Sequence, residues 1–249
     1  MSDVVICEDI KVSDIADHIY ITRVSINDLD AIIKTIVENI VDLNWINDLP
    51  PRLHKGFKAA AAPTIKYIKD ICDNIKDAQD PKTPISKEEE KQRTQIRKDF
   101  GEYAISVSAL HALESLYAHR TIPLMEIIKE KYRGNHGFDY ISISPSIFFV
   151  FGEAKYRKDG SGAKAAAEQI VKFIKKGQPF KDSNFIDAFD PFAPARCSED
   201  DVYGISIAAN LSQKTLNEHL QTLLKNKNFQ KLLGRDAIYL IFVENEGIF

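Results

Sequence analysis

The run IFFVFGEAK, residues 147–155, constrains the fold of this chain more than any other stretch. Its aromatic and β-branched residues favour a β-strand, and the uninterrupted apolar segment indicates that the strand is buried on both faces. Successive side chains of a strand point to opposite faces, so Glu153 and Lys155 share one face. The sequence therefore places an acid and a base side by side at the end of a buried strand.

A second strand is predicted directly before this one, at GFDYISIS, residues 137–144, with SPS as the turn between them. Two short strands joined by so few turn residues are predicted to form a hairpin. Asp139 and Glu153 each lie several residues from that turn. We therefore expect these two carboxylates to share one site with Lys155.

The elements that follow alternate between helix and strand. A helix that ends at Gly177 is predicted first, and it precedes a strand, a second helix and a last strand, at GAKAAAEQIVKFIKKG, DVYGISIAAN, LSQKTLNEHLQTLLKNKNF and AIYLIFV. Such alternation is typical of an α/β fold. We predict a mixed central sheet flanked by helices.

The first 80 residues are predicted to be mostly helical. A plausible short strand at His18–Val24 precedes two stretches with apolar residues at helical spacing, near residues 29–43 and 55–75. The polar segment 77–93 contains two prolines and almost no apolar side chains, so it is the best candidate for a linker. We therefore divide the chain into an N-terminal region, 1–80, and a second domain, 81–249.

A long helix is expected to open the second domain. Ser86 is followed three residues later by Glu89, which is the pattern of a capping box. From Lys87 the helical pattern continues to Arg120.

Composition excludes some classes of protein. The 249 residues are 44% hydrophobic and 28% charged with a net charge of −3, so the chain is an ordinary globular one without an overall basic character. It shows neither a secretory leader nor a membrane span, and its three distant cysteines suit neither disulfides nor a zinc site. We expect a cytoplasmic protein. The segment KDGSGAK lacks the spacing of a phosphate-binding loop, so no nucleotide cofactor is expected.

Two carboxylates and a lysine around one point suit a particular chemistry. Oxygen ligands bind a hard cation such as Mg²⁺ or Mn²⁺, and a positive group beside them can face the attacking water and the scissile phosphate of a phosphodiester. The alternative is a structural salt bridge, since Glu-x-Lys is a common tripeptide. Burial of the strand favours the functional interpretation, because an unpaired buried charge is costly and tends to persist for function.

The pattern Asp-x13-Glu-x-Lys on two adjacent strands, with a helix on either side, resembles the core of the PD-(D/E)XK nucleases over roughly residues 95–245. The resemblance implies that Asp139 and Glu153 bind the metal and that the backbone carbonyl of Ala154 completes its coordination. It implies that Lys155 orients the attacking water or helps to deprotonate it. Phe138 stands where the family name has proline.

Two weaker elements of that family also have counterparts. Glu102, near the start of the preceding helix, resembles an acidic residue that some members use as an extra metal ligand. Gln169 resembles the glutamine of the QxxxY helix, although Phe173 replaces the tyrosine.

A narrower resemblance concerns the nuclease subunits of the Hachiman antiphage systems. It rests on GFDYISISPSIFFVFGEAKYRKDG and on the upstream strings KDFGEYA and IPLMEIIKEKYRGN. It implies a nuclease that acts on DNA in an antiphage defence complex with a helicase partner. We expect the N-terminal region to make the contact with that partner or to pack on the nuclease core as part of one domain.

The segment 154–181 is the most basic part of the chain, with eight basic and two acidic residues, a net charge of +6. Such a run is often only a solvated helix face. Beside a nuclease site it would neutralise the phosphate backbone of DNA. The rival of the enzyme hypothesis is a catalytically silent module that binds nucleic acid or a partner on the same fold.

Overall fold

One mixed sheet organises the fold. The structure is a computed structural model, and it describes residues 5–10, 16–41, 43–80, 86–128, 137–211 and 215–245. Within these residues the sheet has seven strands. The strands are β1 (Val5–Asp9), β2 (Ile19–Ile26), β3 (Arg120–Thr121), β4 (Tyr140–Ile143), β5 (Phe149–Lys155), β6 (Gly204–Asn210) and β7 (Ile238–Glu244). Their order across the sheet is β1-β2-β7-β6-β5-β4-β3.

The four central strands, β2, β7, β6 and β5, run parallel, and β1, β4 and β3 pair antiparallel with their neighbours. All seven residues of β6 are buried, as expected for a parallel strand covered on both faces. The predicted α/β class, the mixed sheet and the hairpin of β4 and β5 are confirmed.

Helices cover both faces of the sheet. They are α1 (Leu29–Val41), α2 (Pro51–Gln79), α3 (Lys87–Tyr117), α4 (Met125–Ile128), α5 (Gly162–Lys175), α6 (Gln178–Phe185), α7 (Ala193–Glu199), α8 (Leu216–Leu224) and α9 (Lys227–Gln230). Short 3-10 turns lie at Asn44–Asp48 and Asp187–Phe189. Within the described residues, no helix is both long and apolar enough to cross a membrane.

Strand β5 divides its side chains between two hydrophobic cores. Val150 and Ala154 belong to the core that α2 and α3 cover, whereas Phe149 and Phe151 belong to the core that α5 covers. This alternation is the period of two expected for a strand buried on both faces. Glu153 and Lys155 therefore leave the strand on the side of the α5 core.

The predicted linker is shorter than expected. Residues 77–79 belong to α2 and residues 87–93 to α3, while residues 81–85 lie outside the described residues. The reason is the capping box: Glu89 N donates to Ser86 Oγ at 3.2 Å, and Ser86 N donates to Glu89 Oε2 at 2.7 Å. A capped start and helix-favouring charged residues outweigh the lack of apolar side chains.

Helix α3 also ends earlier than predicted. It stops at Tyr117, and Ala118 adopts the left-handed conformation with φ of 54°. Arg120, expected in the helix, forms β3 with Thr121 at the edge of the sheet instead.

The sheet itself joins the two regions that the sequence analysis separated. Strand β2, in residues 1–80, pairs in parallel with β7 over seven residues of each strand, and Arg23 on β2 forms an ion pair with Glu244 on β7. The N-terminal region contains α1 and α2, as predicted, and β2 confirms the strand predicted at His18–Val24, whereas β1 was not predicted.

A glycine in β5 fixes how the strands near its end fit together. Tyr140 on β4 lies opposite Gly152 on β5, which in turn lies opposite Ser206 on β6. The Tyr140 ring crosses over Gly152, and its hydroxyl lies 2.8 Å from Ser206 Oγ. The absence of a side chain at Gly152 leaves room for that ring. This contact fixes three strands one residue away from Asp139 and Glu153.

Candidate functional site

The candidate site lies where β5 ends beside the start of β4. Asp139 precedes β4 directly, and its backbone N–H donates to the Gly152 carbonyl at 2.9 Å. Its side chain reaches the same strand, because Oδ2 accepts a hydrogen bond from the Ala154 backbone N–H at 2.8 Å. The Asp139 carboxylate is thus held against the stretch of β5 that carries Glu153 and Lys155.

The ammonium of Lys155 lies between the two carboxylates. Its Nζ is 2.5 Å from Glu153 Oε1 and 4.0 Å from Asp139 Oδ2. The side chains of Asp139, Lys155 and Glu153 are 26%, 12% and 0% exposed, so the cluster opens to solvent on the Asp139 side. The structure therefore brings together the three residues that the sequence predicted to share a site.

Glu153 is the most unusual member of the cluster. Its carboxylate is fully buried, yet among the described residues neither oxygen accepts a well-directed hydrogen bond; the close approach of Lys155 is an ion pair only. Burial raises the pKa of Glu153 well above its ordinary value, and the charge of Asp139 raises it further, against the opposing effect of Lys155. Buried carboxylates without such hydrogen bonds are costly, so this group favours a positive ligand.

Lys155 holds its proton firmly. Burial acts to lower the pKa of its ammonium, but the charges of Asp139, Glu153 and Glu102 outweigh burial, and the net shift is upward. The ammonium is therefore a fixed positive charge in the cluster at neutral pH.

Glu102 lies on α3 within electrostatic reach of this cluster. Its side chain is half-buried, and Oε1 is buried without a hydrogen-bond partner among the described residues. Burial raises the pKa of Glu102, while the positive charge of Lys155 acts to lower it. The Glu102 carboxylate thus acts electrostatically on the site, and its role as an extra ligand stays a prediction.

Gln169 is not joined to the cluster by any hydrogen bond among the described residues, and its catalytic role stays a prediction. The two positions that depart from the family pattern instead contact each other. The rings of Phe138 and Phe173 pack edge to face, with their centroids 5.1 Å apart. An aromatic pair thus stands where the family pattern has a proline and a tyrosine, and it anchors α5 beneath the start of β4.

The donor set suits a hard divalent cation. No cluster of three or more His, Cys, Asp or Glu side chains arranged for a metal occurs among the described residues, so any cation here would rely on two carboxylates and main-chain oxygen. Asp139, Glu153 and the Ala154 carbonyl offer only oxygen, which Mg²⁺ and Mn²⁺ prefer. The buried Glu153 oxygens, which lack directed hydrogen bonds, are suited to bind such a cation.

Two residues that support the site were missed in the sequence. Asp182 on α6 is fully buried; its Oδ2 accepts from the Phe138 backbone N–H at 3.1 Å, directly before Asp139. Asn210, at the end of β6, binds the backbone of Arg157, two residues after Lys155. The available signal was a polar residue that ends an otherwise apolar strand, as Asn210 does.

Comparisons with known proteins give no information on function, so the geometry of the site is the main observation on it. No protein-family model matches the chain, and no curated protein matches its sequence at a significant level. Membership of the PD-(D/E)XK superfamily therefore stays a prediction from the motif.

Proposed function

We propose that this chain is a nuclease that hydrolyses phosphodiester bonds of DNA and depends on Mg²⁺ or Mn²⁺. One observation carries the proposal: the fully buried Glu153 carboxylate, without a directed hydrogen bond, lies beside Lys155, and Asp139 lies on the open side of the same ammonium. A purely structural ion pair has no need of the second carboxylate. The combination is what cation-dependent attack on a phosphate requires.

Asp139, Glu153 and the Ala154 carbonyl would hold the cation. When bound, the cation supplies Lewis-acid polarisation of the phosphate and a more acidic attacking water. The backbone hydrogen bond from Ala154 orients the Asp139 carboxylate in advance. Preorganised ligands of this kind need little rearrangement when the reaction occurs.

Lys155 serves as an electrostatic group in this proposal. Against the effect of burial, the charges of Asp139, Glu153 and Glu102 raise its pKa, so the ammonium is positive beside the two carboxylates. It faces the phosphate and stabilises the negative charge that develops as water attacks phosphorus and the bond to the leaving oxygen breaks. Lys155 also orients the attacking water or helps to deprotonate it, as the sequence resemblance implies.

The basic segment 154–181 supports DNA as the substrate. Seven of its basic residues are exposed, and they follow the site along the β5–α5 loop, α5 and α6. Exposed lysines and arginines beside the site are suited to neutralise phosphates on either side of the bond that is cut. Sequence resemblance alone adds a helicase partner and an antiphage role to the proposal, and the cytoplasmic location rests on the sequence analysis.

The N-terminal region remains the proposed contact with that helicase. Because β2 pairs along its length with β7, removal of residues 1–75 would expose a central strand of the sheet. Surface substitutions on α2, rather than truncation, would test this contact without loss of the fold.

Cleavage of labelled DNA by the purified full-length chain tests the function. We expect cleavage with Mg²⁺ or Mn²⁺ and none with EDTA. Asp139→Asn and Lys155→Met, assayed at a temperature at which circular dichroism shows both to be folded, should each lower the rate by at least about 10²–10³-fold, because the first removes a ligand of the cation and the second removes the ammonium that stabilises the transition state. Asp70→Asn and Lys66→Met, at exposed positions of α2, are the matched controls and should cleave like the wild type.

Equal cleavage by Asp139→Asn and the wild type would place the activity elsewhere or in a contaminant. Binding of DNA without cleavage under any cation would favour the catalytically silent module. Cleavage of RNA in preference to DNA would change the substrate and leave the proposed residues in place.

A further inference from the structure

The residue that ends β6 extends the contact between β5 and β6 beyond its last backbone pair. The two strands pair in parallel up to Lys155 and Ala209. Asn210 comes next, and it is only 3% exposed. A buried side-chain amide is costly unless it is hydrogen-bonded, so its partners show what it stabilises.

Both polar groups of the Asn210 side chain bind the main chain of one residue. Its Oδ1 accepts from the Arg157 backbone N–H at 2.8 Å, and its Nδ2 donates to the Arg157 carbonyl at 3.2 Å. The Asn210 amide thus continues the hydrogen bonding between β5 and β6 by one more step, after the last backbone pair. The backbone of Arg157 is held two residues beyond Lys155.

The same loop is fixed on its other side. Gly160 N donates to the Arg157 carbonyl at 3.2 Å, and Gly160 takes the left-handed conformation with φ of 69°. Asp159 Oδ1 accepts from the backbone N–H and the hydroxyl of Ser161, at 3.0 and 2.7 Å. The turn between β5 and α5 therefore has a defined geometry.

Arg157 lies between a buried residue and the turn that leads to α5. Tyr156, directly before it, is buried in the same core as Ala154 and lies against Gly101 of α3. The Arg157 carbonyl accepts the bond that closes the turn. Arg157 is exposed, and its charge is among those that act on Glu102.

We propose that Asn210 is a positioning residue that holds Arg157 against a phosphate group of DNA beside the bond that Lys155 faces. The choice of DNA rests on the proposed function. A guanidinium suits this place because it stays charged and can bind phosphate through two N–H groups at once. The two hydrogen bonds between Asn210 and the Arg157 main chain keep that main chain at a fixed distance from Lys155.

The test is equilibrium binding of a short labelled DNA duplex to the full-length chain in EDTA, where no cleavage occurs, at several salt concentrations. Arg157→Gln should weaken binding several-fold and lower the slope of log K against log salt by about 0.9, the loss of one phosphate contact. Arg157→Lys should restore most of the affinity. Lys227→Gln, at an exposed position on α9, is the matched control and should change neither quantity.

A double variant separates positioning from a general effect on stability. Asn210→Ala alone should weaken binding as Arg157→Gln does. The variant with both changes should bind no more weakly than Arg157→Gln alone, since both act through one contact. If Asn210→Ala does not fold, Asn210→Ser takes its place in the double variant, and the Arg157→Gln and Arg157→Lys pair decides the phosphate contact.

Unchanged binding and salt slope in Arg157→Gln would overturn this inference and leave the proposed hydrolysis intact. Absence of DNA binding by the wild type would overturn it as well. Binding that depends on Arg157 in a protein that never cleaves DNA would support the inference and reject only the proposed hydrolysis.

Discussion

Gly152→Ala is expected to destabilise the chain by about 3–5 kcal/mol. A Cβ at this position would lie 2.0, 2.2 and 2.4 Å from three ring atoms of Tyr140. The ring has no room to move, because Tyr140 is fully buried and its hydroxyl is bonded to Ser206. Urea unfolding followed by circular dichroism should show the loss as a much lower midpoint.

Gly56→Ala is the matched control for that substitution. Gly56 lies inside α2, and a Cβ there would meet nothing within 4 Å. Alanine is the better helix former, so this variant should gain about 0.5–1 kcal/mol. A Gly152→Ala protein as stable as the wild type would show that Tyr140 does not cross over this glycine.

Lys155→Met and Glu153→Gln are expected to change stability in different ways. Removal of Lys155 leaves Glu153 buried beside Asp139 without its positive partner, and we expect a loss of about 3–5 kcal/mol. Glu153→Gln removes a buried charge without a directed hydrogen bond and leaves Lys155 close to Asp139. That variant should lie within about 1 kcal/mol of the wild type or above it.

The comparison separates a functional cluster from a structural ion pair. To separate them, we would measure the unfolding free energies of the wild type and both variants at one pH and without divalent cations. Glu168→Gln, which breaks an exposed ion pair with Lys172, should change little. Equal large losses in Lys155→Met and Glu153→Gln would mean that the pair serves mainly to stabilise the fold.

The core of the candidate site was predictable because its geometry is local. A strand fixes the common face of Glu153 and Lys155, and a short turn brings Asp139 opposite them within 17 residues of sequence. The same holds for the capping box at Ser86, whose partner lies three residues away. Periodicity and turn length were sufficient for these features.

The supporting contacts were not predictable because they join distant segments. Asn210 and Arg157 are 53 positions apart, and Asp182 reaches Phe138 over 44 positions. No local pattern specifies such partners. The parallel pairing of β2 with β7 likewise depends on tertiary packing, so the sequence indicated a strand at His18–Val24 but not its partner.

Calorimetric titration of Mn²⁺ into the full-length chain tests the central claim most directly, since the buried Glu153 carboxylate is proposed to exist for a divalent cation. We predict binding to the wild type and to Glu168→Gln, and none to Asp139→Asn or Glu153→Gln, because the cation needs both carboxylates. The stability measurements above show whether Glu153→Gln is folded. Binding of Mn²⁺ that is equally strong in the wild type and in a folded Glu153→Gln would contradict the account.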